Sequence, residues 1–321
     1  MKKTVNLLEN KFDPINSLQL IALNDYFSDF VKLHKKQKLP KVILLTGDKG
    51  IGKFTLAFHL VNYIFTLNSD NPYDYNNLII NNNNSIYKKI ISKTLENFNY
   101  VGNMHQKKTS VDDIRNIKKK FYKSSLSSLP RFTILDDVEL LNLNAANALL
   151  KLIEEPSNID YFILINNKQA KIIETLKSRS LETKIFLNGS DKKKVLNYLL
   201  KRFNLEENFV HKFIEYTTPG MLINYSYFID QLNINKEDLF YETSGILLEN
   251  YKKTKNNMYL NCIKFLLDID SKEKLNNDNS RFLETLSMKN KIMHLVDQYR
   301  DFNLSNNSML EHFKIYSNYA K

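Results

Sequence analysis

Residues 42–54 read Val-Ile-Leu-Leu-Thr-Gly-Asp-Lys-Gly-Ile-Gly-Lys-Phe, and the architecture can be worked out from this segment. Its first four residues are an apolar run typical of a buried parallel strand. Residues 47–53 match the pattern Gly-x-x-x-x-Gly-Lys, and apolar residues at helical spacing follow at Leu56, Leu60 and Ile64. A phosphate-binding loop requires this order, because the helix N-terminus directs its free N–H groups at phosphate oxygens.

One position of the loop departs from the pattern. The residue after the lysine should be Ser or Thr, whose hydroxyl ligates Mg²⁺, and here it is Phe54. Thr55 does not replace that hydroxyl, because one residue along a helix is a rotation of about 100°. The residues that shape the loop for phosphate are intact: Gly47, Gly50, Gly52 and Lys53.

The rest of the chain predicts an α/β region followed by helices. Apolar runs at 132–135 and 161–165 indicate two more buried strands, and 183–187 a last one, with helical patterns between them. Strands alternating with helices predict a parallel sheet with helices on both faces. Asn16-Ser17 predicts the start of an earlier helix that runs through Phe27. We expect an α/β domain over 1–187, a small helical domain over 188–236 and an all-helical domain over 237–321.

Composition limits the class of protein. Hydrophobic residues make up 43% of the 321 and charged residues 25%, which is ordinary for a soluble globular protein. No apolar run approaches the length of a membrane span, and the N-terminus has no apolar segment of a signal peptide, so we expect a cytoplasmic protein with no membrane partner. The single cysteine, Cys262, excludes a Cys-based zinc module. The net charge of +11 fits either DNA binding or a general Lys-, Asn- and Ile-rich bias.

Two carboxylates follow the strand at 132–135. Asp136 stands where a P-loop ATPase places its Mg²⁺-coordinating Asp. The next residue, Asp137, is one methylene shorter than the Glu that usually polarises the attacking water. A carboxylate misplaced by about 1 Å can cost on the order of 10²-fold in rate. The alternative is an ordinary solvated pair at the end of a strand.

Two later motifs carry a resemblance to a known family. Residues 144–156, Asn-Ala-Ala-Asn-Ala-Leu-Leu-Lys-Leu-Ile-Glu-Glu-Pro, closely resemble the signature helix of bacterial sliding-clamp loader subunits, which are AAA+ proteins. Thr175-Leu176-Lys177-Ser178-Arg179-Ser180 resembles the family's Ser-Arg-Cys motif. The resemblance covers most of residues 40–220. It implies an AAA+ P-loop α/β domain, a helical lid domain and a C-terminal helical collar that holds subunits together.

The departures from the family pattern imply a subunit that does not hydrolyse ATP. Phe54 replaces the metal ligand, Asp137 replaces the catalytic Glu, and Met221 stands where motor subunits carry a nucleotide-sensing Arg. This combination resembles the delta-prime-like branch, whose nucleotide site is degenerate. The implied site consists of Gly47, Gly50, Gly52, Lys53, Asp136 and, at the polar sensor position, Asn167. No metal or other cofactor is then required, and passive binding of ATP or ADP stays open.

Arg179 is retained, and in the family this arginine acts in trans on the ATP of a neighbouring subunit. The resemblance therefore implies that Arg179 is an arginine finger. The implied partners are the gamma/tau motor subunits and the delta subunit of a hetero-pentamer, which places the sliding clamp on primed DNA. The alternatives are an ATP-hydrolysing gamma/tau-like motor subunit, an unrelated P-loop kinase of small molecules and, for Arg179 alone, an ordinary surface arginine.

Overall fold

The computed structural model describes residues 12–102, 110–121, 129–205, 213–232, 240–277, 282–302 and 304–319. The chain divides into two compact units, Met1–Tyr198 and Leu199–Lys321. The division into three domains at 187 and 236 stays a prediction.

The first unit contains a parallel sheet of five strands in the order β2-β3-β4-β1-β5. The strands are β1 Val42–Thr46, β2 Phe98–Val101, β3 Arg131–Leu135, β4 Asp160–Asn166 and β5 Leu181–Lys184. The predicted strands at 42–45, 132–135 and 161–165 are confirmed. The predicted strand at 183–187 is shifted, since pairing with β1 ends at Lys184, and β2 was not predicted.

Helices cover both faces of this sheet, as predicted. Alternate residues of β1 point to opposite faces: Ile43 and Leu45 belong to one buried cluster, whereas Val42 and Leu44 belong to another. The helices are α1 Asn24–Lys35, α2 Lys53–Thr66, α3 Ser85–Ile91, α4 Val111–Phe121, α5 Leu143–Ile153, α6 Glu174–Ser178 and α7 Gly189–Phe203. Residues of α1, α2 and α3 pack in the first cluster, and residues of α4, α5 and α6 pack in the second. The sheet therefore has two covered faces and one edge at which all its carboxyl ends meet.

The predicted helix from Asn16-Ser17 through Phe27 is wrong over its first half. The chain makes a 3₁₀ turn at Pro14–Asn16, and α1 begins only at Asn24. The segment between them pairs with another loop, because Leu20 N donates to Leu78 O at 3.0 Å and Ile80 N donates to Leu18 O at 2.8 Å. Tertiary hydrogen bonds thus override the local helical pattern.

The second unit is helical in the residues that the structure describes. Its helices are α8 Pro219–Gln231, α9 Phe240–Thr254, α10 Asn257–Asn277, α11 Phe282–Phe302 and α12 Asn306–Tyr319. Fully buried side chains such as Leu247, Ile263, Val296 and Phe313 form its core. Across the described parts of the whole chain, no helix is both long and apolar enough to cross a membrane.

A buried ion pair joins the beginnings of β3 and β4. Arg131 Nε lies 2.8 Å from Asp160 Oδ1, and the two side chains are 8% and 6% exposed. Asp160→Ala leaves the guanidinium buried without this partner, so we expect the free energy of unfolding to fall by about 3 kcal/mol. Urea denaturation measures the loss.

The matched control is Asp29→Ala, whose pair with Lys32 is 70% and 64% exposed. That change should cost less than about 1 kcal/mol. Equal losses for the two variants would show that the Arg131–Asp160 pair is not a structural element of the sheet.

Candidate functional site

The glycine-rich loop leaves β1 at the carboxyl edge of the sheet. Gly47 N donates to Asn166 O at 3.1 Å, which ties the start of the loop to the end of β4. A side chain at Gly47 would collide with the carbonyl of Ile185. Gly50 and Gly52 have φ values of 85° and 97°, in the left-handed region that favours glycine. The three glycines are therefore required by the path of the loop itself.

Lys53 opens α2 and folds back over the loop. Its Nζ donates to Gly47 O at 2.6 Å and to Asp48 O at 2.7 Å, and the residue is 3% exposed. Burial lowers the pKa of Lys53 to about 8, although the negative charges of Asp136 and Glu139 oppose the shift. The ammonium group is thus held at the centre of the loop by the loop's own carbonyls.

Phe54 places an aromatic ring at the position where a P-loop ATPase has a metal-binding hydroxyl. The residue is 6% exposed. Its ring centroid lies 4.7 Å from that of Tyr100 of β2, edge to face, and 5.8 Å from that of Phe58, stacked. Such pairs stabilise a core by roughly 0.5–1.5 kcal/mol each beyond their burial. Phe54 is therefore a packed core residue.

The two carboxylates after β3 are joined through one amide. Asn167, which follows β4, donates from Nδ2 to Asp136 Oδ1 at 2.8 Å and to Asp137 Oδ1 at 2.7 Å. Asp136 Oδ1 also accepts from Asp137 N at 2.8 Å. Burial, and then the charge of Asp137, raise the pKa of Asp136 to about 6. The structure thus brings Asn167, which follows β4, into contact with the two consecutive carboxylates that follow β3.

Asp137 is surrounded by donors. Besides Asn167, Gln169 Nε2 donates to Oδ1 at 2.6 Å, and Lys49 Nζ lies 3.2 Å from Oδ1 and 3.0 Å from Oδ2. Three of these contacts fall on Oδ1 and one on Oδ2, so the lone pairs of Oδ1 are fully used and Oδ2 is held by the Lys49 ammonium. Asp137 is 4% exposed and has a left-handed φ of 54°.

Three members of this cluster were missed in the sequence. Lys49 occupies a variable position of the loop and Gln169 follows Asn167 by two residues, so both lay beside identified motifs. Glu139 lies in a 3₁₀ turn with no motif, and its Oε1 accepts from Asn167 N at 3.0 Å and Gln169 N at 3.3 Å. Burial raises the pKa of Glu139. This carboxylate orients the turn that presents Asn167 and Gln169.

The residues at this edge do not fit a magnesium ion. Phe54 supplies no oxygen, and Oδ1 of Asp136 already accepts from Asn167 Nδ2 and Asp137 N. The adjacent Asp137 carboxylate is bonded to Lys49, Asn167 and Gln169. In the part of the chain that the structure describes, no group of three or more His, Cys, Asp or Glu side chains is arranged to hold a metal ion.

Arg179 lies apart from these contacts, at the end of α6. Its Nη2 is 3.0 Å from Oε1 of Glu154, which follows α5, and its Nη1 donates to Thr175 O at 3.3 Å. The Arg179 and Glu154 side chains are 40% and 47% exposed. Met221 is buried in α8 of the second unit. The structure therefore assembles the loop, Asp136 and Asn167 into one cluster and presents Arg179 at the surface.

Comparison with known proteins gives the family. A family model described as "DNA polymerase III, delta subunit" matches residues 23–186, about half of the chain. A DNA polymerase III subunit delta' of Buchnera aphidicola from Schizaphis graminum is 29% identical over 158 residues, 48% of this chain and 45% of the relative. A delta' subunit of Buchnera from Baizongia pistaciae is 24% identical over 315 residues, 87% of this chain and 88% of the relative.

The chain is also similar to proteins named as gamma subunits of DNA polymerase III. A DNA polymerase III subunit gamma of the Schizaphis graminum strain is 27% identical over 222 residues, 67% of this chain and 56% of the relative. The chain thus spans about half the length of this gamma subunit and of the first delta' subunit. The matched residues 23–186 contain the whole parallel sheet, the loop and Arg179, and the chain belongs to this delta-prime-like family of DNA polymerase III subunits.

Proposed function

We propose that this chain is a delta-prime-like clamp-loader subunit that does not hydrolyse ATP and donates Arg179 to the ATP site of a neighbouring subunit. The observation that carries the proposal is the contact set of Asp137. A carboxylate that polarises an attacking water needs a free acceptor oxygen. In Asp137 the oxygens already accept from Lys49, Asn167 and Gln169.

The loop supports passive nucleotide binding without metal. Its glycines retain the backbone path that exposes N–H groups to phosphate, and Lys53 supplies a buried positive charge. The aromatic ring of Phe54 packs against Phe58 and Tyr100 and contributes no ligand for a metal ion. ATP or ADP would be held by the loop and the lysine alone, and the subunit requires neither zinc nor another cofactor.

Arg179 has the features that an arginine finger needs. It is partly exposed, and its orientation is set by Glu154 and the carbonyl of Thr175. Exposed ion pairs contribute only about 0–1 kcal/mol, so the guanidinium can exchange Glu154 for a phosphate at little cost. The planar guanidinium is permanently charged and binds phosphate oxygens in pairs, which suits a transferring phosphoryl group.

The proposed setting is the cytoplasmic clamp loader. The chain would assemble with gamma/tau motor subunits and a delta subunit in a hetero-pentamer, through the helical second unit, and the assembly would place the sliding clamp on primed DNA. The relatives named gamma favour a second candidate, a motor subunit that hydrolyses ATP.

Hydrolysis by the isolated chain separates the two candidates. We expect no ATP turnover above background, with or without primed DNA, because both oxygens of Asp137 are already bonded to side-chain donors of the chain. Phe54→Thr should not create turnover, since it leaves the donors of Asp137 in place. A steady-state phosphate-release assay measures this, and turnover comparable to that of a complete loader would favour the motor subunit.

Nucleotide affinity should not depend on Mg²⁺. Titration with a fluorescent ADP analogue is expected to give the same Kd in millimolar Mg²⁺ and in EDTA. Lys53→Ala should abolish binding, while Lys168→Ala, which removes an exposed partner of Asp48, should leave it nearly unchanged. Absence of binding, or a Kd that Mg²⁺ lowers tenfold, would contradict passive metal-free binding.

Arg179→Ala should leave the reconstituted loader assembled and reduce hydrolysis at the neighbouring site by about 10³-fold or more, the usual contribution of an arginine finger. Single-turnover hydrolysis measures the effect, and size-exclusion chromatography checks assembly. The controls are Lys177→Ala, on the same helix, and Glu154→Ala, which removes the ion pair but keeps the arginine. A loss of the same size in either control would refute the assignment of the finger.

A further inference from the structure

The edge of the sheet carries three carboxylates close together in the chain, of which two are buried and one is half-buried. Asp136, Asp137 and Glu139 follow β3, and Asp137 and Glu139 are 4% and 6% exposed. Burying carboxylates without compensating positive charge is costly. In magnesium-dependent sites the divalent ion is the largest local charge, and it offsets the negative charge of the carboxylates. Since the residues here do not fit that ion, the compensating charge has to come from the chain.

Lys49 supplies a positive charge in direct contact. Its ammonium bridges the two oxygens of Asp137, at 3.2 Å and 3.0 Å. The same ammonium opposes the rise in the pKa of the adjacent Asp136. Lys53 is placed differently, because two of its three N–H donors are directed at Gly47 O and Asp48 O.

We propose that the Lys49 ammonium is a resident cation that takes the place of the magnesium ion at the carboxylates after β3. This inference deepens the proposed function and rests on it. A magnesium ion enters and leaves an ATPase site together with the nucleotide, whereas a lysine of the chain stays in place, as expected for a subunit that does not hydrolyse ATP. The loop, Asp137 and the turn carrying Asn167 and Gln169 then keep one arrangement whether or not nucleotide or metal is present.

The burial of its partner separates this ion pair from the surface pairs of the chain. The Lys49 side chain is 37% exposed, but the Asp137 side chain is 4% exposed. In the pair of Lys168 with Asp48 the side chains are 53% and 68% exposed. Removing one member of an exposed pair costs little, whereas removing the cation from a buried carboxylate leaves an uncompensated charge.

Thermal unfolding of the full chain tests the inference with two matched variants. Lys49→Met should lower the Tm by about 3 °C or more relative to Lys168→Met, given the usual relation between free energy and Tm for a chain of this size. The Tm of the wild type should be the same in EDTA and in millimolar Mg²⁺. Millimolar Mg²⁺ should raise the Tm of Lys49→Met, because binding to the native state stabilises it.

Two further variants identify the interaction. Lys49→Arg keeps the charge and should retain most of the stability, and Asp137→Asn in the Lys49→Met background should recover part of the loss. The inference is overturned if Lys49→Met loses no more than Lys168→Met, if Mg²⁺ leaves Lys49→Met unchanged, or if Mg²⁺ stabilises the wild type.

The readout is independent of ATP hydrolysis. Turnover by the isolated chain together with the expected Tm values would reject the non-hydrolysing function and keep the resident cation. Absence of turnover together with a wild type that Mg²⁺ stabilises would keep the non-hydrolysing function and reject the resident cation.

Discussion

The parallel pairing of β1 with β4 is the constraint on which the site depends. Thr46 lies opposite Asn166, and the next N–H, that of Gly47, donates to the Asn166 carbonyl. This register places the loop after β1 and the turn after β4 side by side at the carboxyl edge of the sheet. The pairing of β4 with β3 adds Asp136 and Asp137. A shift of one residue would turn every side chain of a strand to the other face and separate these groups.

At this edge, the hydrogen bonds that satisfy the buried polar groups use atoms that ATP hydrolysis would need, which supports the proposal of a subunit that does not hydrolyse ATP. A catalytic carboxylate requires an unsaturated oxygen and a metal site requires uncommitted ligands. Here Lys49, Asn167 and Gln169 bond Asp137, and Phe54 packs against Tyr100. In the proposed subunit, these side chains take the places that water and a metal ion occupy in an ATPase site. The buried carboxylate of Asp137 is stable in this site because donors of the chain itself satisfy its hydrogen bonds.

The sequence predicts the parts of this arrangement that depend on contiguous patterns. The apolar runs locate β1, β3 and β4, and the order of strand, loop and helix locates Lys53. The pattern does not locate β2, because Phe-Asn-Tyr-Val has no apolar run and pairs only with β3 at the edge of the sheet. The pair of Lys49 and Asp137 spans 88 residues and has no local signal. Likewise, the start of α1 depends on hydrogen bonds of residues 18–20 with residues 78–80.

Lys49 and Arg179 differ mainly in how deeply the carboxylate that each of them contacts is buried. Lys49 and Arg179 each form an ion pair with one carboxylate at 3.0 Å. The carboxylate of Asp137 is buried, so separating its pair leaves a charge in a medium that solvates it poorly. Glu154 is about half exposed, and water can replace the guanidinium at little cost. The same type of contact therefore fixes Lys49 in place and leaves Arg179 able to exchange its partner, as the proposed role of an arginine finger requires.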